Sequence, residues 1–398
     1  MSFASRTSDF FAGPWRAVVF LGVTQVLAWG AIYYTPVLMV PLIAAERGWS
    51  KAFTMGGYSL GILTAGIFAR FIGSFIDRYG GHRVMPFGSL LGAAGLLALP
   101  HVESQIAYLA VWVVLGAAMS ASLYDPAFAT LGRIFGAAAR RPITMLTLAG
   151  GLASTVSWPT TRALIDGVGW HNTYLIYAAL LLFVAAPLHA LMPRTRASVT
   201  PSPTPDGAPV PALLQPRGTA FALVVLAFAV YAFVPSGLLA HLLSMFGRAG
   251  IDPQTAVLLG MIFGPCQTLA RLGEFTFARD VHPLTVARFA VASLLIGFAL
   301  LAIFGLTTPV AIAFMLLFGI SNGLITLCRG TVPLALFGAQ GYGLTIGRIA
   351  GPALAIQSAS PLIIAFVAER SSDLTAVALS GIAVALALVA FVLVPRPR

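Results

Sequence analysis

Charge is scarce in this chain. Only 9% of its 398 residues are Asp, Glu, Lys or Arg, where a soluble domain carries about 25%. That supply cannot cover the surface of a water-soluble core of this length. Cysteine is scarcer still. Cys266 and Cys328 both fall in apolar segments, so neither a disulfide framework nor a metal-ligand spacing is present. There is no phosphate loop, no nucleophile–base pair and no metal cluster, which leaves catalysis, ATP drive and a bound cofactor without support. Lysine is nearly missing too: apart from Lys51 every basic side chain is arginine, a matter of codon bias rather than chemistry. The first residues, 1–14, lack the charged-then-apolar-then-small pattern of a cleaved signal, and the apolar run after them is long enough to stay as a spanning helix.

What the chain has instead is apolar length. Hydrophobic residues make up 59% of it, and the mean hydropathy is +0.92. The net charge of +11 raises the question of nucleic acid. The basic residues, however, are scattered between apolar runs, with no basic stripe and no interleaved aromatic platform. A spanning helix needs about 20 mostly apolar residues. By that measure the runs fall at roughly 17–40, 53–75, 84–100, 106–131, 143–164 and 173–192, then 219–245, 254–277, 284–305, 308–328, 343–367 and 375–394. These twelve runs are twice the length of a barrel strand and do not alternate, so helices are predicted.

Residues 194–217, rich in Pro, Ser and Thr, separate the two sets of six and are expected to form a cytoplasmic linker between halves 1–193 and 218–398. Placing the N-terminus in the cytoplasm collects Arg6, Arg16, Arg78, Arg83, Arg133, Arg140, Arg141, Arg194, Arg196, Arg217, Arg279, Arg396 and Arg398 on the inner side. The outer side then keeps only Arg47, Lys51, Arg162, Arg248 and Arg370. The positive-inside rule predicts both termini in the cytoplasm, and the expected location is a bacterial inner (plasma) membrane. A weak internal repeat supports two duplicated halves. Ala69-Arg70-Phe71 recurs as Ala270-Arg271-Leu272 at an offset of 201, Arg78 meets Arg279 at the same offset, and Gly151 meets Gly351 at 200.

Between the second and third runs stands Gly73-Ser-Phe-Ile-Asp77-Arg78-Tyr-Gly80-Gly81-His82-Arg83. It resembles the G-x-x-x-D-R-x-G-x-[RK]-[RK] signature of the major facilitator superfamily, with His82 in the first basic slot. The resemblance implies an all-α membrane fold of two pseudo-symmetric six-helix bundles, secondary transport and no enzymatic activity. Gly73 permits close helix approach, and Gly80 and Gly81 are expected to make a tight turn at positive φ. In the family the acidic residue, here Asp77, meets the start of helix 11, where Arg348 can add a cation. Against that gating role, Arg78 and Arg83 can simply anchor to anionic headgroups. Two patterns of proton-coupled drug exporters are degraded. Trp112 stands four residues before Gly116 where those exporters carry an arginine, and Gly150-Gly151 leads to Trp158-Pro159 without a Gly-Pro step.

In this fold helices 1, 4, 7 and 10 line the cavity, with 2, 5, 8 and 11 beside them, so polar residues within those runs are the site candidates. Arg271 follows a long uncharged stretch, with Glu274 one turn on. It is either a cavity arginine for an anionic substrate, as in the monocarboxylate branch, or one that snorkels or pairs with Glu274. Asp125, in Tyr124-Asp125-Pro126, is either a proton-coupling carboxylate near mid-depth or a gate residue at the inner mouth. The proline after it can loosen the helix and free carbonyls. Glu274 is a second coupling candidate. Gln25, Trp29 and Tyr33 (with Tyr34) on helix 1, Tyr231, Gln267, Asn322 and Gln357 can bind substrate or bridge helices. His241 is read as structural. The leading expectation is alternating-access transport of a small organic anion such as a monocarboxylate, with a coupling proton. Proton-driven efflux of amphipathic compounds and a non-transporting membrane sensor remain the alternatives.

Overall fold

A computed structural model describes residues 13–194, 213 and 215–395. Most of the proposed linker 194–217, and Arg6, Arg196, Arg396 and Arg398 of the charge count, lie outside the described residues. Among the described residues every regular element is helical. The helices are α1 (Arg16–Arg47), α2 (Lys51–Tyr79) and α3 (Gly81–His101), followed by a helical stretch from Gln105 to Ala190. As one rod its 86 residues would reach about 130 Å, several times a bilayer core. The backbone breaks it three times: Leu123 is extended, Gly136 has φ 59° and Gly169 has φ 80°. The breaks leave α4 (105–135), α5 (140–168) and α6 (170–190). After these come α7 (Gly218–Arg248), α8 (Pro253–Phe277), α9 (Pro283–Phe304), α10 (Thr308–Phe337), α11 (Tyr342–Arg370) and α12 (Asp373–Leu393). The described residues thus hold twelve passes, the number the apolar runs predict.

Local chemistry sets the helix ends. Ser50, Ser104, Asp252 and Ser372 each accept a backbone N–H three residues on, at 3.0–3.2 Å, capping α2, α4, α8 and α12. Pro253 and Pro283 start α8 and α9, where a missing N–H costs nothing. Several runs read short from sequence. Run 308–328 ends where Arg329 interrupts it, but α10 continues to Phe337 because its buried face resumes at Gly330–Leu334. The loop expected between 164 and 173 reduces to the break at Gly169.

By contacts the chain divides into two units: residues before 200 with Gly338–Gly351, and residues from 201 to Phe337 with Pro352 onward. The first holds α1–α6 and the first residues of α11; the second holds α7–α10, α12 and the rest of α11. Large apolar side chains stand exposed, Phe183 by 73% and Ile303 by 71%. Within each unit the tightest packing uses small residues instead. A Cβ at Gly116 would strike Gly61 and Thr64 in the first unit, and one at Gly319 would strike Cys266 and Phe263 in the second. That pairing of small buried contacts with a greasy outer surface suits helices whose outer solvent is lipid.

Candidate functional site

The signature segment sits where α2 ends. Asp77 Oδ1 accepts from Gly343 N at 2.9 Å and Oδ2 from Leu344 N at 2.8 Å. Those N–H groups belong to the first turn of α11, which has no intrahelical partners for them, and its positive end favours a carboxylate. Close approach makes the bond possible: a Cβ at Gly73 would collide with Gly343, one at Gly347 with Ala69, and one at Gly351 would crowd Gly66. The Asp77 carbonyl in turn accepts from Arg133 of α4, satisfying one of the open carbonyls at the end of α2. Arg78, Arg83 and Arg348 are exposed. The turn differs from expectation at one glycine. Only Gly80 takes positive φ, 85°; Gly81 is already helical, and its missing side chain makes room for Thr130 of α4.

The middle of α1 is not α-helical. Pro36 has no N–H for the Ile32 carbonyl and its ring crowds that carbonyl, and the turn ahead of it, Trp29–Tyr34, widens into a π-helix. Thr35 closes the wide turn, its N and Oγ1 both bonding Gly30 O at 3.2 and 2.6 Å. Trp29 Nε1 donates to Gln25 Oε1 at 3.0 Å, and Gln25 Nε2 donates to Ser122 O at 2.8 Å. Ser122 is the residue whose carbonyl Pro126 cannot serve, so Gln25, fully buried, bridges α1 to the break in α4. Asp125 lies in the first turn after that break. It is 20 residues past Gln105 and 10 before Phe135, about 30 Å and 15 Å along α4, beyond the helix centre. Trp112, in the exporters' arginine slot, is buried against Gly57 and Gly61 of α2.

In the second unit the polar candidates gather between α8 and α10. Arg271 is 4% exposed and Glu274 5%. Arg271 Nε donates to Gly323 O at 3.1 Å and an Nη donates to Gln267 Oε1 at 3.3 Å. The same Gln267 oxygen accepts from Asn322 Nδ2 at 2.9 Å. A Cβ at Gly323 would press on the Gln267 backbone, so the glycine lets α10 bring its carbonyl to the guanidinium. A snorkelling arginine keeps its head in water; Arg271 is turned onto α10, whereas Arg70, its counterpart in the repeat, is exposed. Tyr231 OH pairs with Ser321 Oγ at 2.9 Å on α10, and His241 Nε2 lies 3.0 Å from Pro361 O, tying α7 to α11. Gln357 is half-buried on α11.

Sequence reading missed Arg329, a half-buried charge inside α10, because the charge itself ended the predicted run. It also missed Arg133 as a partner of α2 and the glycines Gly343 and Gly347. Their four-residue spacing with Gly351 was the available signal. Among the described residues no group of His, Cys, Asp and Glu is arranged to hold a metal ion.

Comparison with known proteins fits this arrangement. The sequence pattern of the Major Facilitator Superfamily matches residues 18–351. Monocarboxylate transporter 4 of Rattus norvegicus is 28% identical over 298 residues, which cover 69% of this chain and 60% of the relative. The match thus spans less than two thirds of that protein's length. The human organic anion transporter MFSD10 (TETRAN) superposes with a TM-score of 0.71 at 18% identity, covering 96% of this chain and 98% of that one. The proton:xylose symporter XylE gives 0.71 at 10% identity over 95% of each chain. These two likenesses are of fold. With the signature between α2 and α3, twelve helical passes and a family match over most of its length, the chain belongs to the Major Facilitator Superfamily, a family of multi-pass membrane transporters.

Proposed function

We propose that this transporter moves a small organic anion, with monocarboxylates the leading class, by alternating access and together with a proton. The observation that carries the reading is Arg271. A charge within a membrane helix costs about 2.5–3.5 kcal/mol on insertion scales, and here the guanidinium is buried and oriented by Gln267 and the Gly323 carbonyl. A planar fork held in that way suits a carboxylate. The rat relative is a monocarboxylate transporter and the human structural neighbour an organic anion transporter, which supports the same class. Trp29, Tyr33, Tyr231, Asn322 and Gln357 are the further substrate contacts proposed, with Asp125 and Glu274 as proton carriers. Asp77, with Gly73, Gly80 and the basic residues beside them, is the gate.

The proposed location is a bacterial inner membrane with both termini cytoplasmic. Cysteines at Ser50 and Asp280, in a background lacking Cys266 and Cys328, should then label from opposite sides with an impermeant thiol reagent. Labelling of both from outside intact cells would overturn the orientation.

Ligand class is tested by thermal unfolding of the purified protein with carboxylates, sugars, amino acids and cationic drugs. A ligand that binds the folded state raises its stability by mass action, about 2.7 kcal/mol at a hundred times Kd. Carboxylates as a class should stabilise the protein. Stabilisation by cationic drugs alone would replace this reading with efflux of amphipathic compounds.

A further inference from the structure

The first unit carries a set of aromatic rings whose packing differs from that of its core. Tyr108, Trp112 and Tyr174 are almost fully buried. Trp29, Tyr33, Tyr34 and Tyr58, by contrast, are only partly buried, and Trp158 is 49% exposed. These five lie on three helices, α1, α2 and α5, yet touch one another in sequence. Ring centroids are 4.6 Å apart for Trp29–Tyr33, 5.9 Å for Trp29–Tyr34, 5.8 Å for Tyr33–Tyr58 and 6.4 Å for Tyr34–Trp158. Most of the pairs are edge-on, the arrangement that aromatic quadrupoles favour.

The segment bearing them is held from behind. Trp29, Tyr33 and Tyr34 all belong to the π-helical turn, which places two tyrosines and a tryptophan within one turn of α1. Thr35 locks that turn to Gly30, and Thr35 Oγ1 lies 3.5 Å from Thr161 Oγ1, which pairs with Tyr177 OH at 2.5 Å. A Cβ at Gly30 would run into Ser157 of α5, so the back of the turn is closed by direct contact. The indole of Trp29 is fixed through Gln25 to α4. A rigid support with a partly open aromatic face is a preorganised surface for an apolar ligand group, and π-turns recur at functional sites.

We infer that this aromatic face is a subsite for a planar ring, so that the preferred solute is an aryl-substituted carboxylate rather than a short aliphatic one. The inference deepens the anion reading and rests on it for the carboxylate alone. The ring preference comes from the first unit by itself.

The test measures binding of propionate, cyclohexylacetate, phenylacetate and phenylacetamide to the purified full chain by calorimetry. Cyclohexylacetate matches phenylacetate in charge and approximate size but has no π face. Phenylacetate should bind about tenfold more tightly than cyclohexylacetate, equivalent to about 1.4 kcal/mol. Tyr58→Leu should remove that preference with propionate binding unchanged, and Tyr58→Phe should keep it. Trp158→Leu on α5 provides the same reading if Tyr58→Leu does not fold. Equal binding of the two ring acids by the wild type, failure of both to bind, or a preference that survives the Leu variants overturns the subsite. Propionate bound with no gain from the ring leaves the anion reading standing and removes only the subsite. Phenylacetamide bound as tightly as phenylacetate does the reverse.

Discussion

Asp77 is the residue whose surroundings constrain its role most. Both carboxylate oxygens are used by main-chain N–H groups of α11, and bonds to a charged group contribute about 1.5–3 kcal/mol each. Asparagine keeps one acceptor but turns an NH2 toward the second N–H and loses the charge that the helix end favours. Asp77→Asn should therefore weaken the grip of α2 on α11 by about 1–3 kcal/mol. The protein should still fold, since α2 and α11 retain their glycine contacts. The expected outcome is slower transport with little change in ligand affinity, measured side by side in proteoliposomes and by calorimetry. A normal transport rate would show that the contact does not gate this chain. The carboxylate accepts from two backbone donors of α11, partners that no side-chain motif announces.

At the scale of the helix, the sequence made the passes legible and left their ends and breaks obscure. Twelve apolar runs gave twelve helices because lipid requires the same property, apolar length, at every pass. The breaks follow from features that hydropathy does not weigh. Pro36 opens a π-turn in α1, Pro126 interrupts α4 and leaves the Ser122 carbonyl for Gln25, and Gly169 turns α5 into α6 without a loop. Asp125 stood out in the sequence by its isolation, as a carboxylate either near mid-depth or at the inner mouth; its place in the first turn of a new helical segment depends on the break at Leu123. Arg271 was legible for the same reason, an uncharged stretch before it. Arg329 was not, because a rule that ends helices at charges cannot find a charge inside one. The collar around Arg271, made by Gln267, Asn322 and Gly323, joins residues of two helices that are over fifty positions apart. The pairing is set by how α8 and α10 pack, which the sequence pattern leaves undefined.

For the whole molecule, membership of the family makes the chain a membrane transporter, and the proposed anion reading rests on the buried charge of Arg271. The most direct measurement is uptake of a radiolabelled monocarboxylate by proteoliposomes holding wild type, Arg271→Lys or Arg271→Gln at matched protein content. Lysine keeps the charge without the planar fork, and glutamine loses both. A carboxylate held by two parallel hydrogen bonds predicts weakened uptake by Arg271→Lys and almost none by Arg271→Gln. Wild-type kinetics from Arg271→Lys, or undiminished uptake by Arg271→Gln, would contradict the account.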